Sequence, residues 1–208
     1  MAADARYRCE RATSAHTGGL LALFEAAGSG CFCNYWHFEG DKNAWLERCY
    51  VNPEQNRAAL VARLALPELC GVVALADAAV CGWMKLTRAP AVARLYDQRV
   101  YRNLPCFQAQ CEPNDGAPKR EDVYAVACCY VAEAERGRGV GRLLLSAAIA
   151  AVREAGGAAL EAFPRATPDG EQLRPDEIWM GPEALFESAG FTPVSDFRPY
   201  PVLRLALR

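Results

Sequence analysis

The chain is short of several things, and each shortage excludes something. Net charge is one: 23 Lys and Arg stand against 25 Asp and Glu, for −2 overall. That balance leaves no basic footprint for nucleic acid. Long apolar runs are another. The longest, "LLLSAAIAAV" at 143–152, is about half the ~20 residues that span a bilayer, so no membrane partner is expected. "MAADARYRCE" lacks the basic-then-apolar layout of a signal peptide, and a cytoplasmic protein is expected. Lysine is absent from Glu121 onwards. That rules out a G-x4-G-K-[ST] nucleotide loop in the glycine-rich second half. The two histidines, His16 and His37, read as surface or capping residues.

Cysteine, by contrast, is plentiful, with ten residues. A chain of this length with no export signal argues against a disulfide scaffold, and most of the thiols read as small buried hydrophobes. Cys31 and Cys33 with Cys106 and Cys111 form a conceivable zinc set. Their C-x-C and C-x4-C spacings are not the usual C-x2-C pairs, and no histidine accompanies them, so no metal is expected.

With 208 residues, 52% of them hydrophobic, the chain is long enough for one well-cored domain spanning 1–208. A first strand is expected at 6–13, then helices at 16–28 and 56–66. A hairpin follows at 69–77 and 80–88, and a central strand at 122–131, apolar on both faces. A helix is expected from about Gly141 to Ala155, then a strand at 158–163, a helix at 182–190 and one or two final strands. The segments at about 31–55 and 89–121 read as insertions. The sum is a mixed α/β (α+β) domain.

The sharpest feature is "AERGRGVGRLLL" at 134–145. Three glycines and three arginines, with Val140, make up the seven residues from Arg136 to Arg142, directly before an apolar helical run. Glycine there removes side chains that would keep an anion from backbone N–H groups. The helix N-terminus adds partial positive charge. A G-x-G-x-x-G dinucleotide loop fails in both frames, because Arg142 or Leu144 falls where the third glycine belongs. Glu161 does lie at about the distance of that fold's ribose-binding acid.

Arg136-x-x-Gly139-x-Gly141 fits [RQ]-x-x-G-x-[GA] and resembles the acyl-CoA-binding motif of the GNAT superfamily of N-acetyltransferases. "ALFESAGF" at 184–191 resembles a second element of that family, and the expected order of elements matches as well. The resemblance implies a mixed sheet of about 6–7 strands flanked by about four helices. It also implies an acetyl-CoA-dependent N-acetyltransferase that acts on a primary amine of a small molecule or peptide by direct attack. The backbone of Tyr130, Val131 and Ala132 would pair with the pantetheine arm. Arg136, Gly137, Arg138, Gly139, Val140, Gly141 and Arg142 would hold the diphosphate. An N–H near Val131 would serve the oxyanion.

The need for a base depends on the acceptor. A lysine-like amine is neutral only about one part in 2500 at pH 7, so a base is useful, and Glu161 is the candidate. The family often uses a tyrosine to protonate the leaving thiolate, but Phe186 stands at that position. Tyr130 is the first substitute, with Tyr124 and Tyr200 behind it. For the acceptor, Tyr35, Trp36, Trp45 and Trp179 are the candidate aromatic contacts, and Glu39, Asp41 and Glu47 could meet an amine. The partners expected are acetyl-CoA and an amine, with a homodimer allowed. Two rival readings remain: a non-catalytic CoA-binding or sensing module, and a cysteine-based metal or redox protein.

Overall fold

A computed structural model describes residues 6–104, 107, 118–168 and 171–207. Cys106 and Cys111 lie outside the described residues. Seven strands form one sheet: β1 (Tyr7–Arg11), β2 (Gly71–Ala76), β3 (Ala79–Arg88), β4 (Val123–Val131), β5 (Ala159–Ala162), β6 (Thr192–Ser195) and β7 (Val202–Ala206). Their spatial order is β1-β2-β3-β4-β5-β7-β6. Every pairing is antiparallel except β4 with β5.

Among the described residues six α-helices accompany the sheet: α1 (Thr17–Ala26), α2 (Lys42–Tyr50), α3 (Pro53–Leu64), α4 (Ala93–Tyr96), α5 (Val140–Glu154) and α6 (Glu183–Glu187). About four were expected; α4 and α6 are single turns, and α2 is a full helix inside the first insertion. Asp41 starts α2 by accepting the Ala44 N–H at 2.9 Å, a normal N-cap. No residue of α2 is buried, so the helix leaves no strong apolar period to read in the sequence. No helix among the described residues is long and apolar enough to cross a membrane.

The sheet is covered on both faces. Val140, Leu144, Leu145, Ala148 and Val152 of α5 recur at helical spacing and pack on Val72, Ala74, Met84 and Val126. On the other face α1 and α3 set Leu20, Phe24, Leu60 and Leu64 against Val73, Leu75 and Trp83.

One irregularity shapes everything at the end of β4. Lys85 pairs with Cys128 and Leu86 with Val126, which leaves Ala127 as the extra residue of a bulge. A one-residue bulge reverses the alternation beyond it. Tyr124 and Val126 face α5, whereas Cys128 and Tyr130 face α1. Cys129 and Val131 take over the α5 side.

Candidate active site

β4 and β5 pair only over Val123–Ala125 and Ala159–Glu161, and then the two strands part. Past the bulge, the Cys129 N–H donates to the Trp179 carbonyl at 2.8 Å, while Ala132 N–H donates to Cys81 on β3 at 2.8 Å. Backbone groups alternate sides along a strand, so the Val131 N–H points away from β3, to the side where β5 has departed. Arg136 crosses this edge. Its Nε donates to the Val131 carbonyl at 3.0 Å, and its guanidinium lies 5.7 Å from the Tyr130 ring centre.

Gly139 caps α5 at φ +83°, and Gly137 before it has φ +74°. Both conformations favour glycine. No atom lies within 4 Å of where a Cβ would stand at either position, so at these two positions the backbone faces open space. Arg142 N–H closes the first turn on the Gly139 carbonyl at 3.0 Å. The N–H groups of Val140 and Gly141 point off the helix end without helical partners. The preceding turn is anchored by Glu135, which accepts Tyr7 Oη at 2.5 Å and Arg6 Nη2 at 2.6 Å. The Tyr7 hydrogen bond holds that carboxyl below its usual range. Arg138 reaches the same carboxylate at 3.7 Å and is otherwise exposed.

These groups line a cleft of about 460 Å³ whose walls include Val131, Gly137, Gly139, Gly141, Arg142 and Leu185. A second cleft of about 760 Å³ opens on the α1 side, between Phe24, Trp45, Tyr50, Tyr130, Glu133 and Trp179. Cys129, Tyr130, Arg136 and Pro175 line both. The two clefts therefore meet at the end of β4.

The four expected acceptor aromatics do come together. Tyr35 lies 4.6 Å from Trp36, 5.3 Å from Trp45 and 6.0 Å from Trp179, and Trp36 stacks on Trp179 at 5.4 Å. Only Trp45 and Trp179 line the second cleft. Trp36 is buried and donates Nε1–H to Met180 Sδ at 3.3 Å. Tyr35 stands behind, under the Arg94 guanidinium at 4.8 Å. Glu39, Asp41 and Glu47 do not line the cleft; its carboxylates are Glu133 and Asp176, which the sequence reading missed.

Glu161, expected as the base, lies elsewhere. It lines neither cleft and is fully buried. Arg204 donates Nε and Nη2 to Oε1 at 2.9 and 2.6 Å, Arg120 Nη1 lies 3.2 Å from both oxygens, and Tyr96 Oη donates to Oε2 at 2.8 Å. Burial, with the Glu161 charge beside it, raises the Tyr96 phenol well above its usual range. Phe186 is also core. It packs on Phe191 at 5.4 Å, and its Cζ lies 2.9 Å from where a Gly181 Cβ would stand.

None of the eight described cysteines is in a disulfide. Five of them, Cys31, Cys33, Cys49, Cys128 and Cys129, line the second cleft. A contact with Cys33 and burial push the Cys31 thiol up, burial raises Cys33 strongly, and burial brings Cys49 to about 11 and Cys129 to about 12. Among the described residues no group of three or more His, Cys, Asp or Glu could hold a metal ion. Beneath these thiols Lys85 is almost wholly buried and donates to the Cys33 carbonyl. Burial lowers its pKa to about 8.

Residues 59–169 match the model of the acetyltransferase (GNAT) family. No curated protein matches the chain. Among solved structures, the yncA protein of Salmonella typhimurium, solved with acetyl-CoA, is similar in fold at TM-score 0.54 and 17% identity. The match covers 98% of this chain and 95% of that one. A paia N-acetyltransferase from Thermoplasma acidophilum in complex with coenzyme A gives TM-score 0.51 at 10% identity, over 96% and 98% of the two chains. A GNAT-family acetyltransferase from Streptococcus pneumoniae gives 0.53 at 14% identity, over 97% and 99%.

Proposed function

The chain belongs to the acetyltransferase (GNAT) family, and on that premise we propose that it transfers the acetyl group of acetyl-CoA to a primary amine by direct attack. The observation that carries this reading is the junction at the end of β4. There a cleft rimmed by outward N–H groups meets a second, larger cleft across four shared residues.

The donor takes the first cleft. The diphosphate lies at the α5 N-terminus, against the N–H groups of Val140 and Gly141 and the bare faces of Gly137 and Gly139. Helix-end N–H groups and dipole favour such an anion by roughly 0.3–2 kcal/mol. Arg138 and Arg142 add charge. The pantetheine arm runs along the open edge at Tyr130, Val131 and Ala132, with Arg136 holding that edge through the Val131 carbonyl. The thioester carbonyl then meets the Val131 N–H.

The acceptor enters from the second cleft. Its neutral nitrogen attacks the thioester carbon and forms the C–N bond. The Val131 N–H stabilises the oxyanion that develops. The C–S bond then breaks, and the sulfur leaves with the electron pair as CoA thiolate. The nitrogen loses one proton and the thiolate gains one. No carboxylate is among the four shared residues, so water in the open cleft carries these protons, with Tyr130 beside it. In this reading Glu161 is a structural anion, because its oxygens already receive two arginines and a tyrosine. Phe186 supplies packing and no proton.

Incubation with acetyl-CoA and a mixed amine panel tests the reading. Free thiol and acetylated amine should appear in equal amounts. Tight acetyl-CoA binding with no acetylated product from any amine would favour a CoA-binding module instead.

A further inference from the structure

The second cleft has a chemistry of its own, and it narrows the acceptor. Its α2 wall presents Trp45, Leu46, Cys49 and Tyr50, the spacing of one helical face. Leu46 is 40% exposed and Tyr50 81% exposed, so this wall is apolar yet uncovered. Phe24 and Trp179 stand among the other walls. The Cys31, Cys33, Cys49 and Cys129 thiols in this lining are held protonated, for the reasons given above, and act as neutral apolar surface.

Charge in this cleft is sparse and mostly of one sign. Its charged residues are Glu133, Asp176 and Arg136. Arg136 is committed to the Val131 carbonyl and the Tyr130 face. Asp176 lies 3.3 Å from Arg174. Glu133 has no ion pair among the described residues. It lies two positions beyond Val131, close in the chain to the junction where the nitrogen must react. An acidic amine finds no uncommitted cation here. A polycation finds one uncommitted carboxylate and walls that desolvate its other charges at a cost.

Resting on the acetyltransferase reading, we propose that the acceptor is a compact monoamine with an aromatic or apolar body, seated between α2 and Trp179, its ammonium end drawn in by Glu133. The cleft volume of about 760 Å³ lies in the range of small-molecule sites. The amine is held as a cation at the carboxylate and reacts after losing a proton to water.

The test compares 2-phenylethylamine, methylamine, spermidine and glutamate, by acetylation and by calorimetric titration into the intact protein. 2-Phenylethylamine should bind and turn over best, with kcat/KM at least about tenfold above the other three. Tyr50→Ala should raise the ratio of its KM to that of methylamine about tenfold, and Tyr50→Phe should restore it. Acetyl-CoA affinity should not move in either variant. Glu133→Gln should raise KM for both monoamines together. A preference for spermidine or glutamate overturns the proposal, as does a Tyr50→Ala effect equal for both monoamines. Acetyl-CoA binding without any binding of 2-phenylethylamine overturns the acceptor class and leaves the donor site standing. Failure of acetyl-CoA itself to bind is the failure of the acetyltransferase reading. The calorimetric ranking of the four amines then still decides the chemistry of the cleft.

Discussion

The Cys129 N–H donates to the Trp179 carbonyl at 2.8 Å. This contact gives the end of β4 a loop partner where β5 has turned away. It also ties the aromatic cluster of Trp36 and Trp179 to the same strand edge that lines the first cleft. In the proposed reaction the two substrates meet at this short stretch of backbone.

The first prediction concerns Glu161. Glu161→Gln removes the charge that compensates Arg204 and Arg120 in a buried setting. Urea unfolding should show a loss of about 3 kcal/mol, the size expected when a buried ion pair loses one partner. Acetyl-CoA affinity of the folded variant should not change. If stability is normal and turnover alone collapses, with the deficit shrinking as pH rises, Glu161 is a base after all.

Phe186→Tyr makes a second test. The added oxygen would extend from Cζ towards Gly181, where a Cβ would already be only 2.9 Å away. We expect a loss of about 1–3 kcal/mol, from crowding and an unpartnered buried hydroxyl, and no gain in turnover. A faster and equally stable enzyme would contradict the placement of Phe186 in the core.

Lys85 gives a pH signature. Its folded pKa of about 8 lies below the roughly 10.4 of an unfolded lysine. The unfolded chain therefore binds more protons between those values, and this group's contribution to stability rises with pH there. Its penalty is fully present below pH 8 and relieved towards pH 10.4. Lys85→Met should thus stabilise the protein at pH 7, by about 1–3 kcal/mol, and the gain should fade by pH 10. Thermal unfolding of both proteins across that window checks it. A gain that is constant with pH would contradict the burial argument.

Much of the fold was legible because it is written locally. The apolar spacing of α5, the hairpin of β2 and β3, and the helix stop at Gly28 depend on residues near one another. The cleft lined by Gly137, Gly139 and Gly141 was legible for the same reason, since these glycines adjoin a helix start. The burial of Glu161 was not. Its partners Tyr96, Arg120 and Arg204 lie 65, 41 and 43 residues away, and only the folded sheet brings them together. The bulge at Ala127 was hidden because it exists only in the register with β3. It decides which way Cys128 and Tyr130 face, and so what the second cleft contains. Glu133 and Asp176 were missed because one sits in a single 3-10 turn, Glu133–Glu135, and the other in a loop turn, and neither has a pattern of its own. The irregular spacing of Cys31 and Cys33 argued against metal but did not show that both line a cleft beside Cys49, Cys128 and Cys129, which only the fold brings together.

The proposed donor site is tested most directly by calorimetric titration of acetyl-CoA into the wild-type protein and into Gly139→Glu. The new Cβ would stand at φ +83° with no protein atom within 4 Å, although the left-handed backbone costs it roughly 1–2 kcal/mol. Circular dichroism establishes that the variant is folded. The wild type should bind acetyl-CoA saturably, one to one, and the variant should lose that binding, by bulk and by charge against the diphosphate. Equal affinity in a folded Gly139→Glu protein would contradict the proposed donor site.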